Sequence, residues 1–274
     1  PALPLYTRLD AQHCLSLLQV QRSHQTFEPI RGWRAPFQNA GHILGAASVL
    51  LRKPRAKYEV YNDLDREIVG LFRVVRDQGA RLRSALELTP FARDEFALSY
   101  EPTDDAVEQA RRTVVRACMG YGTNAAGRRS TGFRSSRRGH GPSTADDWSS
   151  YPAALAAIID RLRGVVIENR HAFEVIEAYN TPDALYYVDP PYVQATRDAG
   201  QDYRHELSEQ DHVDLARLLM RVRGTVLLSG YRCPLYDELY AGWTRVDRAS
   251  HADGARDRVE SVWISREARQ GSLI

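Results

Sequence analysis

The chain has 274 residues, of which 43% are hydrophobic and 26% charged, an ordinary globular composition with enough apolar material for a sizeable core. No apolar run is long enough to span a bilayer, and Pro1 to Leu5 lack the basic flank and cleavage pattern of a signal peptide. The formal net charge is only +2, and the three cysteines, Cys14, Cys118 and Cys233, are too widely spaced for a metal site, so a reducing cytoplasm and no metal are expected. A start at Pro1 rather than Met is expected to reflect processing, trimming or a fragment. In chain order, Ala46 to Leu51 reads as a helix after Gly45, Tyr58 to Asn62 as a strand, and Asp65 to Arg76 as a helix with Ile68, Val69, Leu71, Phe72 and Val75 on one side. Pro90 to Ser99 and Ala106 to Met119 read as helices separated by Pro102. Gly120 to Ser150, rich in Gly, Ser and Arg, reads as a long loop, and Pro152 to Arg163 as a helix. Val165 to Glu168 and Ala184 to Val188 are expected strands. Ser208 starts a helix with Asp211 as a capping-box-like partner, and Thr225 to Leu228 and Glu260 to Ile264 are later strands. Strands alternating with helices predict an α/β fold with a mostly parallel sheet, into which a helical and loop region from about Gly79 to Asp160 is inserted.

The stretch Asp189-Pro190-Pro191-Tyr192 carries the most chemistry. It follows the apolar run Leu185 to Val188. Each proline fixes its own φ and lacks an N–H, and each biases the residue before it away from the α region. A carboxylate and carbonyl oxygens beside an aromatic ring suit a planar base that carries an amino group. A plain strand-ending turn has the same residues, because Asp-Pro pairs are common turn punctuation. The basic residues are unevenly placed. Between Arg111 and His140 there are eight arginines, at 111, 112, 116, 128, 129, 134, 137 and 138, and no Asp or Glu. Lysine occurs only at Lys53 and Lys57, so the arginine content is weak evidence by itself.

Several further blocks stand in a fixed order: Gly45 to Leu51, Tyr61-Asn62-Asp63-Leu64-Asp65, Thr89 to Phe96, Ile167-Glu168-Asn169-Arg170, Tyr203 to Leu207 and Leu228-Ser229-Gly230-Tyr231. Together with Asp189 to Tyr192 they resemble the Dam-like, S-adenosylmethionine-dependent DNA adenine methyltransferases of bacteria and phages, over roughly Gly45 to Ile264. The resemblance implies a Rossmann-like methyltransferase sheet with a helical DNA-recognition insert. Its parts are 1–78 and 161–274 as the core, with 1–44 divergent, and 79–160 as the insert. It implies methyl transfer from S-adenosylmethionine to the exocyclic amine of a flipped adenine, with Asp189, Pro190, Pro191 and Tyr192 as the catalytic turn. Double-stranded DNA is the implied partner, with a restriction endonuclease counterpart as a further one. The implied setting is a bacterial cytoplasm, for a bacterial or phage-encoded protein.

The implied cofactor contacts are Gly45, Asp63, His171, Phe173 and Asp189. For three of them there is a second reading. Asp63 or Asp65 suits the N-cap of the following helix, Phe173 suits the core, and His171, where the family usually has Asp, suits an exposed loop. The implied DNA contacts are Asn124, Arg128, Arg129, Arg134, Arg137, Arg138, Tyr203 and His205, beside Tyr121 and Phe133. A solvated loop has the same composition as 128–138, and Tyr203 equally suits a structural role. Ser229-Gly230-Tyr231-Arg232 reads as a strand-ending turn rather than chemistry.

The N-terminal part departs from the family. Pro1 to Asn39 has no Gly-Gly-Lys, and Gly41, His42, Ile43 and Leu44 stand where the family has an acidic residue, Pro, an aromatic and Gly. An alternative reading is therefore a catalytically impaired DNA-binding relative with weakened cofactor binding. A protein-glutamine methyltransferase fits less well, since that class resembles Asn-Pro-Pro-Tyr.

Overall fold

The structure is a computed structural model that describes residues 26–30, 33–36, 50, 53–120, 132–134, 144–197, 204–251 and 257–265. It is α/β, and it divides into two compact units, one formed by Glu59–Asn169 with the segment Gln21–Leu44, the other by Arg170–Ile274 with Gly45–Tyr58 and Pro1–Val20.

In the first unit, β1 (Thr26–Ile30) and β2 (Trp33–Pro36) form an antiparallel hairpin that the sequence pattern does not announce. β3 (Glu59–Asn62) and β4 (Val165–Glu168) pair in parallel, from Glu59 opposite Val165 to Asn62 opposite Glu168. Parallel strands need a crossover. Among the described residues it contains four helices: α1 (Arg66–Glu87), α2 (Arg93–Leu98), α3 (Ala106–Met119) and α4 (Thr144–Leu162). Asp65 caps α1, its side chain accepting from the Glu67 amide at 2.8 Å. α1 runs eleven residues beyond the expected Arg76 because its apolar stripe continues through Leu82 and Leu86, across a kink at Gln78. Gly79 at that kink lies against Ile159 of α4, where an added Cβ would meet the Ile159 side chain at 2.4 Å. α4 starts at Thr144 rather than Pro152, so Pro152 is inside a helix. The added first half is held by buried Trp148, whose indole N–H donates to the Thr89 carbonyl at 2.7 Å.

In the second unit the order is α5 (Ala172–Ala178), β5 (Leu185–Val188), a 3₁₀ turn (Gln194–Thr196), α6 (Glu209–Leu219), β6 (Thr225–Tyr231), α7 (Pro234–Leu239), β7 (Thr244–His251) and β8 (Asp257–Ile264). The sheet order is β5-β6-β8-β7, with β5 and β6 parallel and the β6–β8 and β7–β8 pairs antiparallel. The capping box at Ser208 and Asp211 forms as expected: Asp211 Oδ2 accepts from the Ser208 amide at 2.8 Å, and Ser208 Oγ accepts from the Asp211 amide at 3.2 Å. Leu215, Leu219, Val226, Leu228, Tyr236, Tyr240 and Trp263 form the core between sheet and helices.

The expected turn at Ser229 to Arg232 is a correction. β6 continues through Ser229 and Gly230 to Tyr231, because β8 pairs with it there: Ser229 faces Val262, Gly230 faces Ser261 and Tyr231 faces Glu260. Gly230 is a packing glycine, since a Cβ there would meet the Tyr236 ring at 2.8 Å.

Candidate active site

The parallel register builds the site. Val188, the last residue of β5, pairs with Leu228 of β6, so the next residues, Asp189 and Ser229, come side by side. The Ser229 hydroxyl donates to Asp189 Oδ1 at 2.7 Å and also lies 3.2 Å from the Val188 carbonyl oxygen. Ser229 is 6% exposed, and Pro190, within the turn, is buried. Tyr192 is 5% exposed and meets Tyr231 edge-on, with ring centroids 4.6 Å apart. Burial, reinforced by the charge of Asp189, pushes the Tyr192 phenol well above its usual range, so it stays neutral and offers no base. The structure thus brings together Asp189, Pro190, Tyr192 and, beside them, Ser229 and Tyr231. Sequence reasoning missed Ser229. The signal that finds it is the register: the first residue past β5 lies next to its counterpart on β6.

His171 and Phe173 lie at the start of α5. His171 is its N-cap: Nδ1 accepts from the Phe173 amide at 3.4 Å, and the exposed ring meets Phe173 edge-on at 4.8 Å. Phe173 is half-buried and packs against the core that contains Ile176 and Leu228. In the other unit, Asp63 follows the end of β3. Its Oδ1 accepts from the Asp65 amide at 2.9 Å and its Oδ2 from the Tyr61 hydroxyl at 3.2 Å. The helix-capping role thus goes to Asp65, while Asp63 shapes the turn before it. Asn169, just past β4, donates to the carbonyls of Asp63 and Leu64 at 2.8 and 3.1 Å.

Of the expected DNA contacts, Asn124, Arg128, Arg129, Arg137, Arg138 and Tyr203 lie outside the described residues, as does the cofactor candidate Gly45. Arg134 is half-buried, and its amide donates to the Met119 carbonyl at 2.7 Å. Beside it, Phe133 bridges to Gly120 and packs on Phe91 and Phe96 at 5.1 and 5.9 Å, with the Arg93 guanidinium 4.8 Å over its ring. His205 is exposed and stands next to Glu206, which forms a two-pronged ion pair with Arg197 at 3.0 and 2.6 Å.

Three of the eight clustered arginines are structural. In α3, Arg111 pairs with Glu108 and Glu95, Arg112 with Glu108 and the Glu101 carbonyl, and Arg116 with Glu67 and the Ser99 carbonyl. All three are buried. Their acidic partners precede residue 111, so counting acids only within the arginine-rich stretch conceals them.

Among the described residues there is no group of three or more His, Cys, Asp or Glu placed to hold a metal ion, and no helix is long and apolar enough to cross a membrane. No curated protein sequence matches the chain. Its family is nevertheless clear from residues 44–252, which contain Asp189, Ser229, both parallel strand pairs and the four-helix crossover, and which match the model of the D12 class N6 adenine-specific DNA methyltransferase: the chain belongs to that family, and its activity is methylation of adenine in DNA.

Proposed function

We propose that the chain transfers a methyl group from S-adenosylmethionine to the N6 amine of an adenine flipped out of duplex DNA, with Asp189 to Tyr192 as the catalytic turn. The observation that supports this most is Asp189 itself, held at the C-terminal end of a parallel strand by the Ser229 hydroxyl. Ligands of α/β sheets gather at such strand ends. The exocyclic amine is a poor nucleophile because its lone pair is delocalised into the ring. Accepting its two N–H bonds, one at the Asp189 carboxylate and one at the Pro190 carbonyl, localises that lone pair for attack. Positioning and fixed dipoles supply most of the acceleration. A base within a duplex cannot reach a buried turn, so it leaves the stack, and Tyr192 supplies the ring beside it. With Tyr192 packed edge-on against Tyr231, stacking needs local opening of this pair.

When bound, S-adenosylmethionine supplies the electrophilic methyl group. The residues on hand suit it. The Asp63 carboxylate, fixed at the end of β3 by the Asp65 amide and the Tyr61 hydroxyl, is an acceptor for a ribose hydroxyl or an ammonium group. His171 and Phe173, in the other unit, are further proposed contacts with an imidazole and an aromatic edge, and Gly45 is proposed from its place in the sequence. Residues 79–160 act as the DNA-recognition region, with 1–78 and 161–274 as the methyltransferase core. Arg128, Arg129, Arg134, Arg137 and Arg138 contact phosphates, with Asn124, Tyr203 and His205 nearer the bases. The setting is a bacterial cytoplasm, for a bacterial or phage-encoded protein, alone or with a restriction endonuclease. Neither the family match nor the geometry supports a non-catalytic relative. The test is Asp189→Ala, assayed for adenine methylation with labelled S-adenosylmethionine. A loss of at least about 10²-fold in a variant that still folds is expected. Near-normal turnover would refute the assignment.

A further inference from the structure

We propose that Ser229 is a positioning residue for methyl transfer, whose hydroxyl sets the rotation of the Asp189 carboxylate before the base arrives. The inference rests on the reading of Asp189 as the acceptor for the adenine amine. An aspartate carboxylate turns easily about its last torsion, which has broad, roughly two-fold wells. A bond to one oxygen fixes the plane of both, and with it the direction from which an amine must donate. Ser229 is suited to this by its place in the fold. Its backbone lies in β6, which is paired with β5 on one side and β8 on the other, and the next residue, Gly230, is packed under the Tyr236 ring. A side chain on such a strand is held more closely than one on a loop.

The proton inventory gives the bond its direction. Ser229 Oγ has one hydrogen, and its two neighbours, Asp189 Oδ1 at 2.7 Å and the Val188 carbonyl at 3.2 Å, are both acceptors. The ionised carboxylate is nearer and charged, and 2.7 Å is at the length of a charge-assisted O–H···O⁻ bond, roughly 2.5–2.7 Å. At 6% exposure, the serine side chain leaves little room for water to take its place. Without the hydroxyl the carboxylate loses this restraint on its plane. The amine is then held in the wrong direction for part of the time, and an error of about 1 Å in such a geometry costs roughly 10²-fold in rate.

The experiment compares Ser229→Ala, Ser229→Cys and Ser229→Thr with the parent and with Asp189→Ala. It measures single-turnover methylation of an adenine-containing duplex, affinity for DNA and for S-adenosylmethionine, and thermal stability. Ser229→Cys is nearly isosteric but a weak donor, so it keeps the question open should the alanine variant not fold. The expected result is a methylation rate roughly 10- to 100-fold lower for Ser229→Ala and Ser229→Cys, with both affinities within about 2-fold of the parent. Ser229→Thr, which keeps a hydroxyl, recovers most of the rate. The proposal is overturned if Ser229→Cys methylates at the parent rate, or if rate, affinity and stability fall together in every variant, the mark of a purely structural serine. If instead Asp189→Ala itself retains the parent rate, the reading of the turn fails, separately from the role of Ser229.

Discussion

Under the proposed function the Tyr192 ring has two roles that substitution can separate. It is 5% exposed and packed edge-on against Tyr231, so it fills space in the fold. It also lies beside the Asp189 acceptors, where a base would stack. Truncation to Ala removes a whole buried ring and should destabilise the protein by about 3–5 kcal/mol in urea unfolding, whereas Tyr192→Phe keeps the ring and should cost far less. Since the phenol is held neutral by burial, its hydroxyl has no part as a base. Tyr192→Phe should therefore also retain methylation, and a loss from Tyr192→Phe as large as that from Tyr192→Ala would show that the hydroxyl, not the ring, is needed. At this scale the sequence is legible in residue type but not in partner. Asp63 and Asp65 are equal candidates for the helix cap until the amide of Glu67 is seen to donate to Asp65. His171, set apart because the family usually has Asp there, caps α5 through its ring nitrogen.

α6 and α7 meet through a buried pair, His212 Nδ1 and the Tyr236 hydroxyl, 3.0 Å apart. His212 is inside the core, and burial pulls its pKa below the ordinary 6.5, with Arg197 adding to that and Asp211 and Glu206 opposing it. The folded state therefore holds His212 neutral, while the unfolded chain takes up a proton below about 6.5. The stability from this pair is complete above that pH and is lost as pH falls through it toward the lower folded value. Urea unfolding of the parent should show this loss, and His212→Gln should flatten it as pH falls below about 6.5. An unchanged slope would remove the histidine from the account. A second buried contact joins β3 to α4, where Arg161 grips both oxygens of Glu59 at 2.6 and 2.8 Å. Glu59→Ala alone should cost about 3–5 kcal/mol by taking from the guanidinium the acid that holds both its arms, and Glu59→Leu with Arg161→Leu should cost much less. Additive losses in that double-mutant cycle would show that the two side chains do not act as a pair. Elements of this kind are legible where the apolar period is long or clean, as in α1, α3, β5 and β6. α5, α7 and β7 escape it. The two helices have 7 and 6 residues, fewer than two full turns, and β7, which pairs on one side only, carries Arg, Asp, Ser and His among its eight residues.

For the whole molecule the question is how a protein of net charge +2 would hold the duplex DNA of the proposed function. Global attraction is weak at that charge, so under the proposed function binding rests on local arginines. The eight between 111 and 140 divide into two groups. Arg111, Arg112 and Arg116 are buried in α3 on glutamates and carbonyls, and Glu108, held by the guanidinium groups of Arg111 and Arg112, has its carboxyl lowered to about 2. The other five follow α3 in the chain, and the antiparallel bridge between Gly120 and Phe133, with Phe133 packed on Phe91 and Phe96, ties Arg134 to the end of that helix. Composition shows the cluster but not this division, because the glutamates that claim three of its members come earlier in the chain. The two groups should answer differently to substitution. Arg134→Ala, Arg137→Ala and Arg138→Ala together should weaken DNA binding across sequences and reduce the slope of log K against log salt by roughly 0.9 for each phosphate no longer neutralised. Arg112→Ala should leave that slope as it is and instead lower the melting temperature, since it removes one of the two donors on Glu108 Oε1, leaving Arg111 alone on that carboxylate, and strips the Glu101 carbonyl of its donor. Fluorescence anisotropy on a labelled duplex over a salt series, with a thermal melt of each variant, reads both. A slope untouched by the triple substitution would place the loop arginines in solvent. A slope reduced by Arg112→Ala would instead mean that α3 contributes to the DNA surface directly.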